Sequence, residues 1–145
     1  MTAALEQFAE DFALLPDWEE RYAHVIALGR ALAPLQDSER TEANKVRGCA
    51  SQVWLVRDPD GAGGVLHFRA DSDAHIVRGL LAIILGVYTG RTAEQILAID
   101  PATLLDRLHL REALTPQRSN GVASVLARIQ AAAAQSLSEG PGPAR

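Results

Sequence analysis

The chain has 145 residues, with 14 Lys and Arg against 18 Asp and Glu, a formal net charge of −4 and a single cysteine. That length is one ordinary domain, which removes about 68–70% of its unfolded surface from water and needs no disulfide or metal staple. The acidic balance argues against a general nucleic-acid binder, whose affinity comes largely from neutralising phosphates, and one cysteine excludes any internal disulfide, as suits a reducing cytosol.

Leu5, Phe8, Phe12 and Leu15 recur at helical spacing and predict a short first helix that ends before Pro16. Asp17 then offers an N-cap, and Trp18, Tyr22, Val25, Ile26, Gly29 and Leu32 mark one face of a second helix that Pro34 ends. Residues 35–48 are polar and without periodicity and read as a loop. Gln52 to Arg57 and Val65 to Ala70 are short runs rich in β-branched and aromatic residues. The Asp58-Pro59-Asp60-Gly61-Ala62-Gly63-Gly64 stretch between them predicts an antiparallel hairpin with a longish loop. Leu66, Phe68 and Ala70 share one face of the second strand. The first strand is apolar on both sides and reads as central.

Asp71-Ser72-Asp73 has helix-capping chemistry. The helix expected from Asp73 to Tyr88 is apolar nearly all round, as befits the buried central helix of a domain. Gly90 is placed to end it. Thr92-Ala93-Glu94-Gln95 has the pattern of a capping box opening a short helix, and Asp100-Pro101 opens another. Thr115-Pro116 begins the last helix with proline at its first position, its apolar face formed by Val122, Val125, Leu126 and Ile129. Helices at both ends of a small antiparallel sheet of about three strands define an α+β domain, expected over residues 1–135 with a flexible tail over 136–145. The N-terminus lacks the basic and apolar regions of a signal peptide, and the apolar run Gly79 to Tyr88 is about half the length that spans a bilayer. The expectation is a cytoplasmic protein with no membrane partner.

The only thiol lies in Asn44-Lys45-Val46-Arg47-Gly48-Cys49-Ala50-Ser51-Gln52-Val53-Trp54, where a polar loop runs into an apolar strand. Lys45 and Arg47 favour a thiolate, the nucleophilic form, and Gly48 opens backbone angles closed to other residues. Taken alone, a lone cysteine reads first as a small buried hydrophobe. Its solitude also excludes chemistry. Without CxxC there is no exchange with an internal resolving cysteine, no Cys/His cluster has zinc-ligand spacing, and an iron–sulfur cluster needs about four ligands. His24, His67, His75 and His109 carry no local signature that pairs them with Cys49 as a hydrolase would need. Arg118 is a second anomaly, because a cation in the first turn of a helix opposes its dipole.

Three stretches in order, Gly48-Cys49-Ala50-Ser51-Gln52-Val53-Trp54, Asp71-Ser72-Asp73-Ala74 with the following Ile76, Val77 and Gly79-Leu80, and Thr115-Pro116-Gln117-Arg118-Ser119-Asn120-Gly121, closely resemble the SufE-type sulfur-acceptor family and its CsdE relatives. The likeness covers residues 5 to 135. It implies an α+β fold shared with IscU-type scaffolds, and a Cys49 that takes sulfane sulfur from the persulfide of a cysteine desulfurase of the SufS or CsdA type. It further implies stimulation of that desulfurase and delivery of sulfur to an iron–sulfur scaffold complex of the SufBCD type. Pyridoxal phosphate would sit on the partner, with no cofactor or metal on this chain. Lys45, Arg47, Gly48, Ser51, Gln52, Asp73 and Arg118 would face the partner. On that reading the chain is a sulfur-transfer accessory rather than an independent enzyme. A single-thiol hydrolase or peroxidase and a non-catalytic interaction domain are the alternative classes, distinguished by activity without a partner and by indifference to Cys49→Ser.

Overall fold

The computed structural model describes residues 3–15, 17–48, 51–108 and 116–139. Two helices come first, α1 (Ala3–Ala13) and α2 (Trp18–Ala31). The Asp17 carboxylate caps α2 by accepting the Glu20 N–H at 2.9 Å, as the sequence predicts. A 3-10 turn at Asp37–Glu39 follows, within the stretch expected to be loop. The hairpin β1 (Val53–Asp58) and β2 (Val65–Ser72) is antiparallel, in register from Val53 opposite Ser72 to Asp58 opposite His67. A two-residue β3 (Arg91–Thr92) pairs with the start of β2, giving the sheet order β1-β2-β3. β2 is therefore the central strand of the sheet, the position expected for β1. Main-chain pairing of Lys45 opposite Trp54 nevertheless covers the other edge of β1, and Val53, Trp54 and Leu55 are buried on both of its faces.

The buried helix α3 (His75–Tyr88) lies across the sheet, packed on β2, α2 and α1. Leu66, Phe68 and Ala70 of β2 meet its buried residues in one core. α2 and α3 cross so closely that glycine is required on both. A Cβ on Gly29 would lie 2.6 Å from the Gly79 nitrogen, and one on Gly79 would strike the Val25 carbonyl. Tyr88 is fully buried, and burial, with the Asp100 charge adding to it, pushes its hydroxyl up to about 12. It thus stays neutral inside the core. Gly90, at φ 76°, follows the helix as expected.

Two short helices and a long one complete the chain. α4 (Ala93–Leu97) opens with the predicted capping box, Thr92 and Gln95 exchanging side-chain to backbone bonds. α5 (Pro101–Arg107) starts at Asp100, whose carboxylate accepts the Ala102 N–H. α6 runs Pro116–Glu139; Thr115, expected to cap it, lies outside the described residues. Helix thus passes residue 135, the boundary expected from sequence, because the segment is rich in alanine and meets no breaker before Gly140. The rest of the expected tail, residues 140–145, lies outside the described residues. Among the described residues no helix is long and apolar enough to cross a membrane.

An ion network ties the 3-10 turn to the hairpin. Arg69 of β2 donates to both oxygens of Asp58 at 2.8 Å and to both oxygens of Glu39. Bonding to Arg69, together with the Gln36 N–H, lowers the Glu39 carboxyl from 4.5 to about 2, and Arg69 lowers Asp58 too. A carboxylate whose folded pKa lies below its unfolded value stabilises the fold above the unfolded pKa and loses that contribution as pH falls through the folded one. The melting temperature should therefore fall between pH 4.5 and about 2. Glu39→Gln, which keeps the acceptor for the Gln36 N–H, should show a shallower decline in melts followed by circular dichroism. Equal slopes in the two proteins would mean that Glu39 carries none of the acid limb.

Candidate functional site

The thiol motif lies between two segments that are held together by main-chain bonds. The Val46 N–H donates to the Val53 carbonyl and the Leu55 N–H to the Asn44 carbonyl, each at 2.8 Å. Residues 44–46 thus form an extended segment antiparallel to β1, and the six residues 47–52 join the two. The polar stretch expected to be irregular hides this strand because its one apolar residue, Val46, is too short a pattern to alternate. Val46 is buried, and Asn44 is fixed from behind by its side-chain bond to the Glu39 carbonyl at 2.9 Å.

Asp73 secures the far end of this connection. Its carboxylate accepts the Gln52 N–H at 3.0 Å, and its own N–H donates to the Gln52 carbonyl at 3.3 Å. This corrects the expectation that Asp71-Ser72-Asp73 caps α3. β2 runs through Ser72, the helix starts at His75, and the residue in the cap position is Ala74, with no side-chain cap. The two carboxylates are engaged elsewhere, Asp73 with Gln52 and Asp71 with the interior.

Asp71 is fully buried. It accepts from Arg40 at 2.8 Å, from Arg78, and from the Leu35 and Ser72 N–H groups at 3.1 and 2.8 Å. Arg78 also donates to the Gly29 and Leu32 carbonyls at the end of α2, and Arg40 lies over the Trp54 ring, 5.3 Å from its centroid. A buried carboxylate is tolerated only when paired and hydrogen-bonded, and here both oxygens are served.

α6 closes the third side. Gly48, at φ 89°, lies against Ser124 of α6, and a Cβ there would come within 2.7 Å of the Ser124 Oγ. Both the backbone angle and the lack of space thus demand glycine next to the thiol. One turn further along α6, Arg128 donates to the Lys45 and Ala43 carbonyls at 2.9 and 3.1 Å. A groove of about 570 Å³ runs between these two elements, lined by Lys45, Val46, Arg47, Ser124, Ala127 and Arg128 among others.

Of the residues singled out in the sequence, Lys45, Gly48, Gln52 and Asp73 come together around this connection. Ser51 is half-buried beside them. Arg47 is exposed and bonded to Glu42 at 3.1 Å, so its charge is shared with a carboxylate; such an exposed pair is worth about 0–1 kcal/mol. Cys49 and Ala50 lie outside the described residues, as does the Arg118 side chain, whose backbone is in the first turn of α6. Among the described residues no group of three or more His, Cys, Asp and Glu could hold a metal ion. Arg128 and Ser124 are the residues that sequence reasoning missed, and Asn44 and Asp71 stood within the quoted stretches without a role of their own. Only the helical spacing of Ser124 and Arg128, which puts them on one face, was visible in advance.

Fold and site together define a small α+β domain that carries its one thiol between two paired segments flanked by its last helix. A family model for the SufE, Fe-S metabolism associated domain matches residues 6–133. An uncharacterized SufE-like protein of Rhizobium etli is 49% identical over 130 residues, covering 88% of each chain. Another, of Rhizobium meliloti, is 46% identical over 132 residues, covering 90% of this chain and 94% of its own. The solution structure of a hypothetical protein from Thermus thermophilus superimposes with a TM-score of 0.74, covering 93% of this chain and 96% of that one, at 23% identity; it speaks for the fold alone. The chain belongs to the SufE family, and with it to iron–sulfur metabolism.

If Asp73 anchors the connection, Asp73→Ala should speed hydrogen exchange at the Gln52 amide and cost about 1 kcal/mol in urea unfolding. Asp73→Asn, which keeps an acceptor oxygen, should lie between alanine and wild type. An unchanged Gln52 exchange rate in Asp73→Ala would remove Asp73 from the site.

Proposed function

We propose that the protein is a sulfur acceptor and activator for a cysteine desulfurase, with Cys49 as the residue that takes the sulfur. The observation that carries the reading is the position of the chain's only thiol, in six residues (47–52) that start from a segment bonded to β1 and α6 and end at Gln52, bonded to Asp73, in a member of the SufE family. Holding the two ends of the connection in place lowers the ordering cost of docking it on another protein.

The chemistry is a thiol–disulfide exchange. The Cys49 thiolate attacks the outer sulfur of the partner's cysteine persulfide. The partner's S–S bond breaks as a new one forms on Cys49, the partner leaves as a thiolate, and nothing is oxidised or reduced overall. A second exchange of the same kind hands the outer sulfur to an iron–sulfur scaffold complex of the SufBCD type. The desulfurase, of the SufS or CsdA type, brings its own pyridoxal phosphate, and the process belongs in the cytoplasm.

Lys45 and Arg47 flank the thiol in sequence and supply positive charge, which favours the thiolate. Gly48, Ser51, Gln52 and Asp73 shape the docking surface. Arg118 lies on the helix that borders the site, roughly 9 Å along its axis from Ser124 at 1.5 Å per residue, and on this reading it meets an anionic group of the partner.

Wild-type protein should raise the turnover of a cognate desulfurase with L-cysteine, and Cys49→Ser should not, while binding it as before. Equal stimulation by Cys49→Ser would make the effect allosteric and end the acceptor reading.

A further inference from the structure

We propose that Arg128 is a positioning residue for sulfur transfer: by gripping the open edge of the strand that leads towards the thiol, it sets where Cys49 is presented. The proposal rests on the sulfur-acceptor reading above.

In an extended strand successive carbonyls point to opposite sides. Asn44 turns its carbonyl towards β1, where it accepts the Leu55 N–H. Lys45 turns its carbonyl the other way, to the outer edge of the segment, where no further strand pairs among the described residues, and Ala43 lies in the turn before it, closed by the Lys45 N–H donating to the Glu42 carbonyl at 3.3 Å. Open edges carry unpaired main-chain groups that must find partners. Here the partner is one side chain. The two terminal nitrogens of Arg128 reach the Lys45 and Ala43 carbonyls at 2.9 and 3.1 Å, across 83 and 85 residues of sequence.

The planar fork of arginine is suited to this task in a way that a point charge is not. It bonds one carbonyl in the turn and one in the extended residue that follows, and so ties the turn and the start of the segment to α6 together. Charged donors also make the stronger class of hydrogen bond. One turn earlier on the same face, Ser124 meets Gly48, where a Cβ would come within 2.7 Å of its hydroxyl. That hydroxyl is itself tied to the Asn120 carbonyl at 3.0 Å, so this wall is firm. α6 thus touches the lead-in strand at its start through Arg128 and meets the chain again through Ser124, immediately before Cys49. Arg128 is exposed, and its hydrogen bonds to Lys45 and Ala43 go to the main chain rather than to a carboxylate, as a guide for backbone requires.

The test compares wild type, Arg128→Ala and Arg128→Lys in the full chain. Native-state hydrogen exchange at the Val46 and Leu55 amides should quicken about 10-fold in Arg128→Ala, with the melting temperature lower by only a few degrees. With a cysteine desulfurase and L-cysteine, kcat for transfer to Cys49 should fall about 10-fold, as expected for a misplaced reacting atom. The concentration of this protein giving half-maximal rate should stay within about twofold, and Arg128→Lys should recover part of kcat but not all. Wild-type kcat in Arg128→Ala overturns the proposal, and a change confined to the half-maximal concentration does so too, by making Arg128 a partner contact. If wild type itself accepts no sulfur, the acceptor reading fails. The exchange rates still decide on their own whether Arg128 holds the strand, and unchanged rates reject that as well.

Discussion

The buried carboxylate of Asp71 is the constraint on which the remaining geometry hangs. It has no contact with water, and it is served by Arg40, Arg78 and the amides of Leu35 and Ser72. These donors come from the two sides of the 3-10 turn (Leu35 and Arg40), from α3 (Arg78) and from the neighbouring residue of β2 (Ser72). Arg78 binds the last carbonyls of α2 as it binds Asp71, which holds α2 against α3 where Gly29 and Gly79 let the backbones touch. Arg40 spans from Asp71 to the Trp54 ring on β1. Such a cluster gains little over a well-packed apolar one, but removing a single partner costs roughly 3–5 kcal/mol because a charge is left buried. Its value is therefore in specifying which segments meet.

The segments that meet there are those leading to the thiol. From Leu35 the chain passes through the 3-10 turn, whose Glu39 is held by Arg69, and reaches Asn44, which bonds back to the Glu39 carbonyl. Only then does it pair with β1 and approach Cys49. On the other side, Gln52 is bonded to Asp73, two residues beyond Asp71. The core thus reaches the site along two short paths, both beginning at the same carboxylate, and α6 adds a third anchor from outside. The chemistry proposed for Cys49 draws on the rigidity built behind it.

Much of this was legible in the sequence where the signal is local. The Asp17 cap, the Thr92–Gln95 box, the Asp100-Pro101 start and the Gly-rich hairpin each announce themselves within four to seven residues, and each occurs as expected. Cys49 stood out because it is the only thiol. What could not be read is pairing at a distance. Asp71-Ser72-Asp73 looks like a helix cap to any local rule, and only the arrival of arginines from residues 40 and 78 turns one carboxylate inward. The strand at 44–46 has a single apolar residue, and β3 is two residues long; neither offers a period. Arg128 resembles any exposed helical arginine until the carbonyls of Ala43 and Lys45 lie beneath it.

The claim that joins fold to chemistry is that sulfur rests on Cys49. Intact-mass and peptide analysis after incubation with a cysteine desulfurase and L-cysteine tests it most directly. One additional sulfur, confined to the peptide that contains Cys49 and removed by a reducing agent, is the required result. A protein of unchanged mass, recovered from a reaction in which the desulfurase has turned over in its presence, would contradict it.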